Sequence, residues 1–379
     1  MSKLGLYVHI PFCRQKCLYC DFTSYVQAEH LFDAYTTALC QQIAEQGGML
    51  CKPPVDTVYI GGGTPSILPL PFIEKILTSL TTKFSIQPAA EISMEANPGT
   101  VTKEQLTALK TLGINRLSFG VQSFDDKLLA AIGRIHRTAD SLIAVEHAFA
   151  AGFTNISIDL MYGLPQQTYD GFASELKQAA ALGTSHLSVY GLKLEEGTPL
   201  AAAFDNGQLT LPEEAAEEAM YDLMTDFLPK KGLLRYEISN FACQGKECRH
   251  NLKYWHYEPY LGFGCAAHSF FQGERISQVA DVEDYIKKML IGASTIAMRE
   301  TLAQNVVMAE YVFLALRTTT GMDLEKFRQY FNIDFFSHFG VVFNKLRHQG
   351  LVSATPKQIW LTELGMKFGN IVFGSFLPD

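Results

Sequence analysis

Positive charge is in short supply here. Lys and Arg number 31 against 39 Asp and Glu, a net charge of -8, which argues against the basic footprint that nucleic-acid binding needs. No apolar run approaches the roughly 20 residues required to cross a bilayer, and Met1 to Lys3 is too short to be the charged region of a signal peptide. A cytoplasmic protein is expected. There is no internal repeat, and no low-complexity tract beyond the alanine and glutamate mixture near Ala215. A disulfide framework is also missing: of the 8 cysteines, three crowd into one short loop, which suits thiols kept reduced for metal binding. What the chain has is apolar bulk. At 379 residues, 47% hydrophobic and 18% charged, it can bury a large core, with one big domain and one or two small ones.

The stretch that organises the rest is Leu6 to Phe22, LYVHIPFCRQKCLYCDF. A short apolar run reads as a strand, Pro11 breaks it, and Cys13, Cys17 and Cys20 follow at CxxxCxxC spacing. Three thiolates suit an iron-sulfur cluster, because a cubane held by three cysteines leaves one iron open to another ligand. A closed zinc site needs a fourth ligand, and Asp21 is too adjacent to Cys20 to wrap round easily. Unconnected core thiols or a distorted zinc loop are the plainer alternatives.

The first half alternates strand-like and helical segments, the pattern of a parallel sheet covered by helices. Strands are expected at Leu4–Ile10, Val55–Ile60, Glu91–Glu95, Arg116–Phe119, Asn155–Leu160 and His186–Tyr190. Helices are expected at Leu31–Gln46, Pro71–Thr82, Lys103–Leu112, Ala139–Ala150 and Tyr169–Leu182. Six such units predict an α/β fold, a partial (β/α)6 TIM-type barrel whose working residues sit at the carboxyl ends of its strands. The polar motifs fall there: the cysteine loop, then Gly61-Gly62-Gly63-Thr64-Pro65, Glu95 in SMEANP, Gln122 in SFGVQS, Arg134, and Asp159 in IDLMYGLP. The glycines would let backbone N–H groups approach a carboxylate or polar head group. Each residue alone is an ordinary strand-end polar group or turn; their recurrence points to one cavity mouth.

LYVHIPFCRQKCLYCDF, GGGTPS, SMEANP, SFGVQSF and IDLMYGLP resemble, in order and spacing, the radical SAM proteins of the oxygen-independent coproporphyrinogen oxidase group, over about the first two hundred residues. The resemblance implies that Cys13, Cys17 and Cys20 hold a 4Fe-4S cluster whose open iron chelates S-adenosylmethionine, with Tyr7 and Tyr19 beside it. It implies that Gly62, Gly63 and Thr64 hold the methionine end of that cofactor, and that Glu95, Gln122, Arg134 and Asp159 line the rest of its site, a carboxylate being a good acceptor for ribose hydroxyls. The cofactor would supply the radical, the protein orientation and exclusion of water. Within the group, the coproporphyrinogen-converting branch carries a further cysteine two residues after the third ligand and a long N-terminal extension. This sequence has Phe22 there and six residues before Tyr7, which resembles the HemW-type haem-chaperone branch.

After the barrel at 1–200, the second half divides into a connecting region at 201–300 and a small domain at 301–379. Pro212 with Glu213 and Glu214 opens a helix to about Phe227, and Arg235–Ser239 reads as a strand. The stretch RHNLKYW, Arg249 to Trp255, carries an HNxxYW pattern similar to one in the haem chaperones. By that likeness His250 is the candidate axial haem ligand, with Asn251, Tyr254 and Trp255 about the porphyrin; an aromatic-backed loop cap is the plainer reading. His256 and His268 are alternatives, and Cys243, Cys248 and His250 form a CxxxxCxH grouping without the CxxCH spacing of c-type haem. Cys40 and Cys51 read as incidental thiols. After a link at Asp281–Glu300, helices at Asn305–Arg317, Leu324–Phe331 and Phe339–Gln349 and a hairpin at 351–361 predict a winged-helix-like α+β domain. Its third helix is too poor in basic residues for DNA, which leaves a lid or partner surface.

The resemblance implies a haem chaperone that binds a 4Fe-4S cluster, S-adenosylmethionine and haem and serves a haem-accepting apoprotein. It implies an electron donor if the cluster is reduced, and transient membrane association through the acceptor. The alternatives are a coproporphyrinogen III decarboxylase working through a 5'-deoxyadenosyl radical, and a relative of the radical SAM haem-degrading methyltransferases.

Overall fold

Strands buried on both faces by covering helices ordinarily read as near-continuous apolar runs. Here only every second residue is apolar. Leu6, Val8 and Ile10, Val58 and Ile60, Leu117, Phe119 and Val121, and Ile156, Ile158 and Leu160 are buried in one hydrophobic core. Between them stand Tyr7, Thr57, Tyr59, Arg116, Ser118, Ser157 and Asp159. Alternate residues of a strand point to opposite faces, so the apolar set meets the helices and the polar set meets itself. Closing such a sheet gives a barrel with a polar lumen.

A computed structural model describes residues 3–378; the first two residues of the Met1–Lys3 segment, and Asp379, lie outside them. Strands β1 (Leu4–Ile10), β2 (Pro54–Gly62), β3 (Ser85–Ala96), β4 (Arg116–Gln122), β5 (Ile156–Tyr162) and β6 (His186–Gly191) lie side by side in that order, all parallel. The expected helices fill the crossovers: Phe32–Met49, Leu70–Lys83, Lys103–Thr111, Thr138–Ala150 and Tyr169–Ala181. Their ends follow from local chemistry. Thr102, for example, accepts from the Gln105 N–H while the Gln105 side chain reaches back to the Thr102 N–H. The partial-barrel expectation is met.

The region after β6 is laid out differently from the sequence reading. Asn240–Ala242 pairs antiparallel with β6 at one edge. Tyr260–Phe263 pairs parallel with β1 at the other, followed by antiparallel strands at His268–Phe271, Glu274–Gln278 and Ile296–Thr301. Residues 201–300 therefore extend the barrel sheet at both edges. The stretch Asp281–Glu300 is not a bare linker, since it holds helix Val282–Leu290 and most of the outermost strand. The strand expected at Arg235–Ser239 stops at Arg235 because the Glu237 carboxylate turns back to accept from the Ser239 N–H at 2.9 Å and from the Asn240 amide.

Residues from Met308 to Phe376 build a second hydrophobic core. It comprises helices Gln304–Leu316, Leu324–Phe331 and Phe335–His348 with a small antiparallel sheet of Met322–Asp323, Gln358–Leu361 and Val352–Ala354. The third helix starts earlier than the expected Phe339, since Asp334 caps it by accepting from the Ser337 N–H at 2.9 Å. Two unanticipated helices, Glu363–Lys367 and Gly369–Phe376, complete that core. Among the described residues, no helix is long and apolar enough to cross a membrane.

Candidate cofactor site

The carboxyl ends of the barrel strands open into a cavity of about 630 Å³, a size typical of cofactor pockets. Tyr7, Cys13, Cys17, Tyr19, Cys20, Gly62, Gly63, Thr64, Glu95, Gln122, Arg134, Asp159, Asn251 and Tyr254 all line it, and His250 and Trp255 do not. The strand-end residues singled out by their recurrence thus meet in one place.

The cysteine loop is held from three sides. The Leu18 N–H donates to the Ile132 carbonyl and its own carbonyl accepts from the Leu200 N–H, while the Gln15 amide donates to the Gly133 carbonyl at 3.1 Å. Its sulfurs are also engaged. Thr64 Oγ1 donates to Cys13 Sγ at 3.4 Å and Arg134 Nη1 to Cys17 Sγ at 3.3 Å, donors that favour thiolate character. Burial pushes the Cys13 and Cys20 thiols up, so metal uptake has to displace protons there. A Cβ on Gly63 would lie 2.9 Å from Cys13 Sγ and 2.7 Å from the Phe12 carbonyl oxygen; only glycine lets the second strand end come this close. Three half-buried thiols on one cavity, two of them receiving hydrogen bonds, fit a cluster that would be held by three cysteines.

The glycine motif offers a ligand fewer donors than its sequence suggests. The N–H groups of the glycine motif are spent inside the protein: Gly62 donates to Glu95 Oε2 at 3.2 Å, Gly63 to the Ile10 carbonyl and Thr64 to the Phe12 carbonyl. What the motif leaves a ligand is close backbone, without those donors. Glu95 is fixed by the same bond and by the Tyr59 hydroxyl, which donates to Oε1 at 2.8 Å. Burial pushes the Glu95 carboxyl up to about 7, against the pull of the Tyr59 and Gly62 donors. Burial also raises Asp159, whose Oδ1 accepts from Ser118 at 3.3 Å. Gln122 reaches the cavity from a strand end with φ of +66°, where the β4–β5 register slips.

Sequence reading missed Asn97. Its amide donates to Thr64 Oγ1 at 2.9 Å and its Oδ1 accepts from Arg134 Nη2 at 2.7 Å, so one side chain ties together the two groups that touch Cys13 and Cys17. Its signal was present, two positions beyond Glu95 in SMEANP. Lys16, Ser118, Met161 and Tyr190 also line the cavity; the last three follow from extending the strand alternation to the strand ends.

The HNxxYW stretch is a helix, Arg249–Trp255, and it stands at the opposite end of the lumen. His250 is fully buried. Its Nδ1 is paired with Thr57 Oγ1 at 2.9 Å and its Nε2 with Tyr254 Oη at 2.8 Å, and its ring stacks on Tyr59 with centroids 5.4 Å apart. Both nitrogens are taken, so neither is free to ligate iron; the axial-ligand expectation does not fit this geometry. Trp255 turns away, with the Arg317 guanidinium 4.4 Å over its ring. Exposed His256 and His268 do not line the cavity. Cys248 is buried against Glu91, and among the described residues no three His, Cys, Asp or Glu side chains form a group fit for a single metal ion. The CxxxxCxH grouping gains no geometric support.

Comparison with known proteins agrees with this layout. Residues 7–179 match the model of the radical SAM superfamily, and residues 302–368 that of the HemN C-terminal domain. The chain is 38% identical to the haem chaperone HemW of Bacillus subtilis, over 98% of this chain and 99% of that protein. It is 36% identical to HemW of Lactococcus lactis, over 98% and 97%. Among solved structures, coproporphyrinogen III oxidase (HemN) of Escherichia coli, described as a radical SAM enzyme, superimposes with a TM-score of 0.87 at 26% identity, covering 99% of this chain and 90% of that one.

Proposed function

This chain belongs to the HemW family of radical SAM proteins, and on that premise we propose that it is a haem chaperone that binds haem beside a 4Fe-4S cluster and S-adenosylmethionine and passes the haem to an acceptor apoprotein. The observation that carries the cofactor half is the single cavity of about 630 Å³ shared by the three thiols and the polar strand ends. When bound, the cluster supplies an open iron for the amino and carboxylate groups of S-adenosylmethionine and, with an electron donor, an electron. The protein does the rest. Cys13, Cys17 and Cys20 hold the cluster, with Thr64 and Arg134 donating to two of the sulfurs. Glu95, oriented by Tyr59 and Gly62, and Asp159 accept hydroxyls. Tyr7, Tyr19 and Tyr254 wall the cavity against water.

The chaperone branch is favoured over the decarboxylating one by Phe22. It stands 63% exposed at the cavity rim, where the coproporphyrinogen-converting branch carries its further cysteine. The test is an anaerobic haem titration of cluster-reconstituted protein beside an assay for protoporphyrinogen formation from coproporphyrinogen III with S-adenosylmethionine and reductant. Saturable haem binding without turnover is expected. Turnover without haem binding would make the protein a decarboxylase.

A further inference from the structure

The polar lumen leaves an energetic problem at the end away from the cavity. Glu91, Arg116 and His186 are buried there at 5%, 2% and 1% exposure, and unpartnered groups at such depth cost several kcal/mol each. Ser157 and Tyr236 pair with the two nitrogens of His186, and the helix Arg249–Trp255 answers the problem for Glu91. The Glu91 carboxylate accepts from the Arg249 and His250 backbone N–H groups, each at 3.2 Å. Lys253, nearly fully buried, reaches Asp56 at 2.8 Å, Glu258 at 2.9 Å and the Lys3 carbonyl at 2.9 Å. Gly5 lets it in: a Cβ there would lie 2.9 Å from Lys253 Cδ and 3.3 Å from His250 Cε1. The HNxxYW stretch is therefore a plug in the barrel.

We propose that His250 is a positioning residue of the S-adenosylmethionine site, holding Tyr254 and the Tyr59–Glu95 pair in place from beneath, and that it is not a ligand to haem iron. His250 touches two tyrosines and no cavity. One of them, Tyr254, is hydrogen-bonded to its Nε2 and lines the cavity; the other, Tyr59, stacks on its ring, lines the cavity and donates to Glu95. A neutral imidazole with one donor and one acceptor nitrogen suits a site between two hydroxyls, here those of Thr57 and Tyr254. The paired aromatics of the motif divide the work, since Tyr254 faces the cavity and Trp255 packs under Arg317 of the second core.

The inference rests on the reading that the cavity takes S-adenosylmethionine. Its test uses the full-length, cluster-loaded protein, titrated calorimetrically with S-adenosylmethionine and optically with haem. For His250→Ala, S-adenosylmethionine affinity is expected to fall at least tenfold while the cluster absorbance and the haem Soret position stay as in the parent. His250→Gln, which can restore a donor and an acceptor, is expected to recover most of that loss, and Tyr254→Phe, which removes one hydroxyl only, to lose several-fold on a sound fold. A shifted or missing Soret band with unchanged S-adenosylmethionine affinity would overturn the proposal in favour of ligation. Unchanged affinity in both His250→Ala and Tyr254→Phe would overturn the positioning role. Should His250→Ala fail to fold, Tyr254→Phe decides alone. A parent that takes up its cluster but not S-adenosylmethionine would defeat the cofactor reading instead. Amide hydrogen-exchange protection of residues 249–255, lost in His250→Ala, would still report the plug.

Discussion

The two ends of the barrel lumen are built from the same residue types and do opposite things. At the carboxyl end, Cys13, Cys17, Glu95, Asp159 and Arg134 surround open space. At the amino end, Glu91, Arg116, His186 and His250 are all buried, with Glu91 bonded to the helix N–H groups and His186 paired to Ser157 and Tyr236 at 2.8 Å each. What separates a site from a scaffold is therefore neither how polar the residues are nor whether they are hydrogen-bonded, since Glu95 and Arg134 are, but whether they also face open space. A histidine followed by aromatics falls on the scaffold side here, and a threonine and an asparagine fall on the site side.

The sharpest way to break this contrast is to remove one member from each end and ask which function goes. Cys17→Ser is expected to abolish the iron-sulfur absorbance of anaerobically reconstituted protein altogether, while the fold, read by circular dichroism, persists. A fully retained cluster would sink the ligand assignment. Lys253→Met should do the reverse. Its ammonium sits 4% exposed beside Asp56 at 17%, and stripping one partner from a buried ion cluster costs about 3–5 kcal/mol. The urea midpoint should fall accordingly, and a change below about 1 kcal/mol would mean that the plug is not held by charge.

How much of this was legible follows the same divide. The six barrel strands, their helices and the cysteine loop are written in local spacing, so Leu4–Ile10 comes out as read. The cavity list follows because strand ends in a barrel converge whatever their side chains do. What could not be read is contact over distance. His250 meets Thr57 across 193 positions, and Tyr260 pairs with Gly5 at the far edge of the sheet. No local pattern says that a short helix will turn into a lumen and use up both nitrogens of its histidine. The clue available was the polar alternation of Thr57 and Tyr59, Arg116 and Ser118, and Ser157 and Asp159, which demands something to seal the lumen.

Acidity probes the amino end through a smaller effect. Burial pushes His250 down to about 3 and His186 well below the ordinary histidine range. A group depressed in the folded state contributes stability that is complete above about pH 6.5 and is lost as pH falls toward the folded value. Between pH 7 and pH 5, His250 alone should therefore remove about 2 kcal/mol, at roughly 1.4 kcal/mol per pH unit below 6.5. His250→Gln should flatten the urea midpoint against pH by that share; an identical profile in parent and variant would show that the ring titrates freely.

The carboxyl end should answer acidity through binding instead of stability. Glu95 lies at about 7, so it is mostly ionised at pH 8 and mostly protonated at pH 6, and the carboxylate is the stronger acceptor for hydroxyls. S-adenosylmethionine affinity of the cluster-loaded protein is expected to be about tenfold weaker at pH 6 than at pH 8, a shift of ~1.4 kcal/mol. Other groups titrate in that window, so the informative quantity is the difference from Glu95→Gln, whose amide cannot ionise. If parent and variant fall together, the carboxylate is not the group that senses the proton, and Glu95 belongs with the scaffold end of the lumen despite facing the cavity.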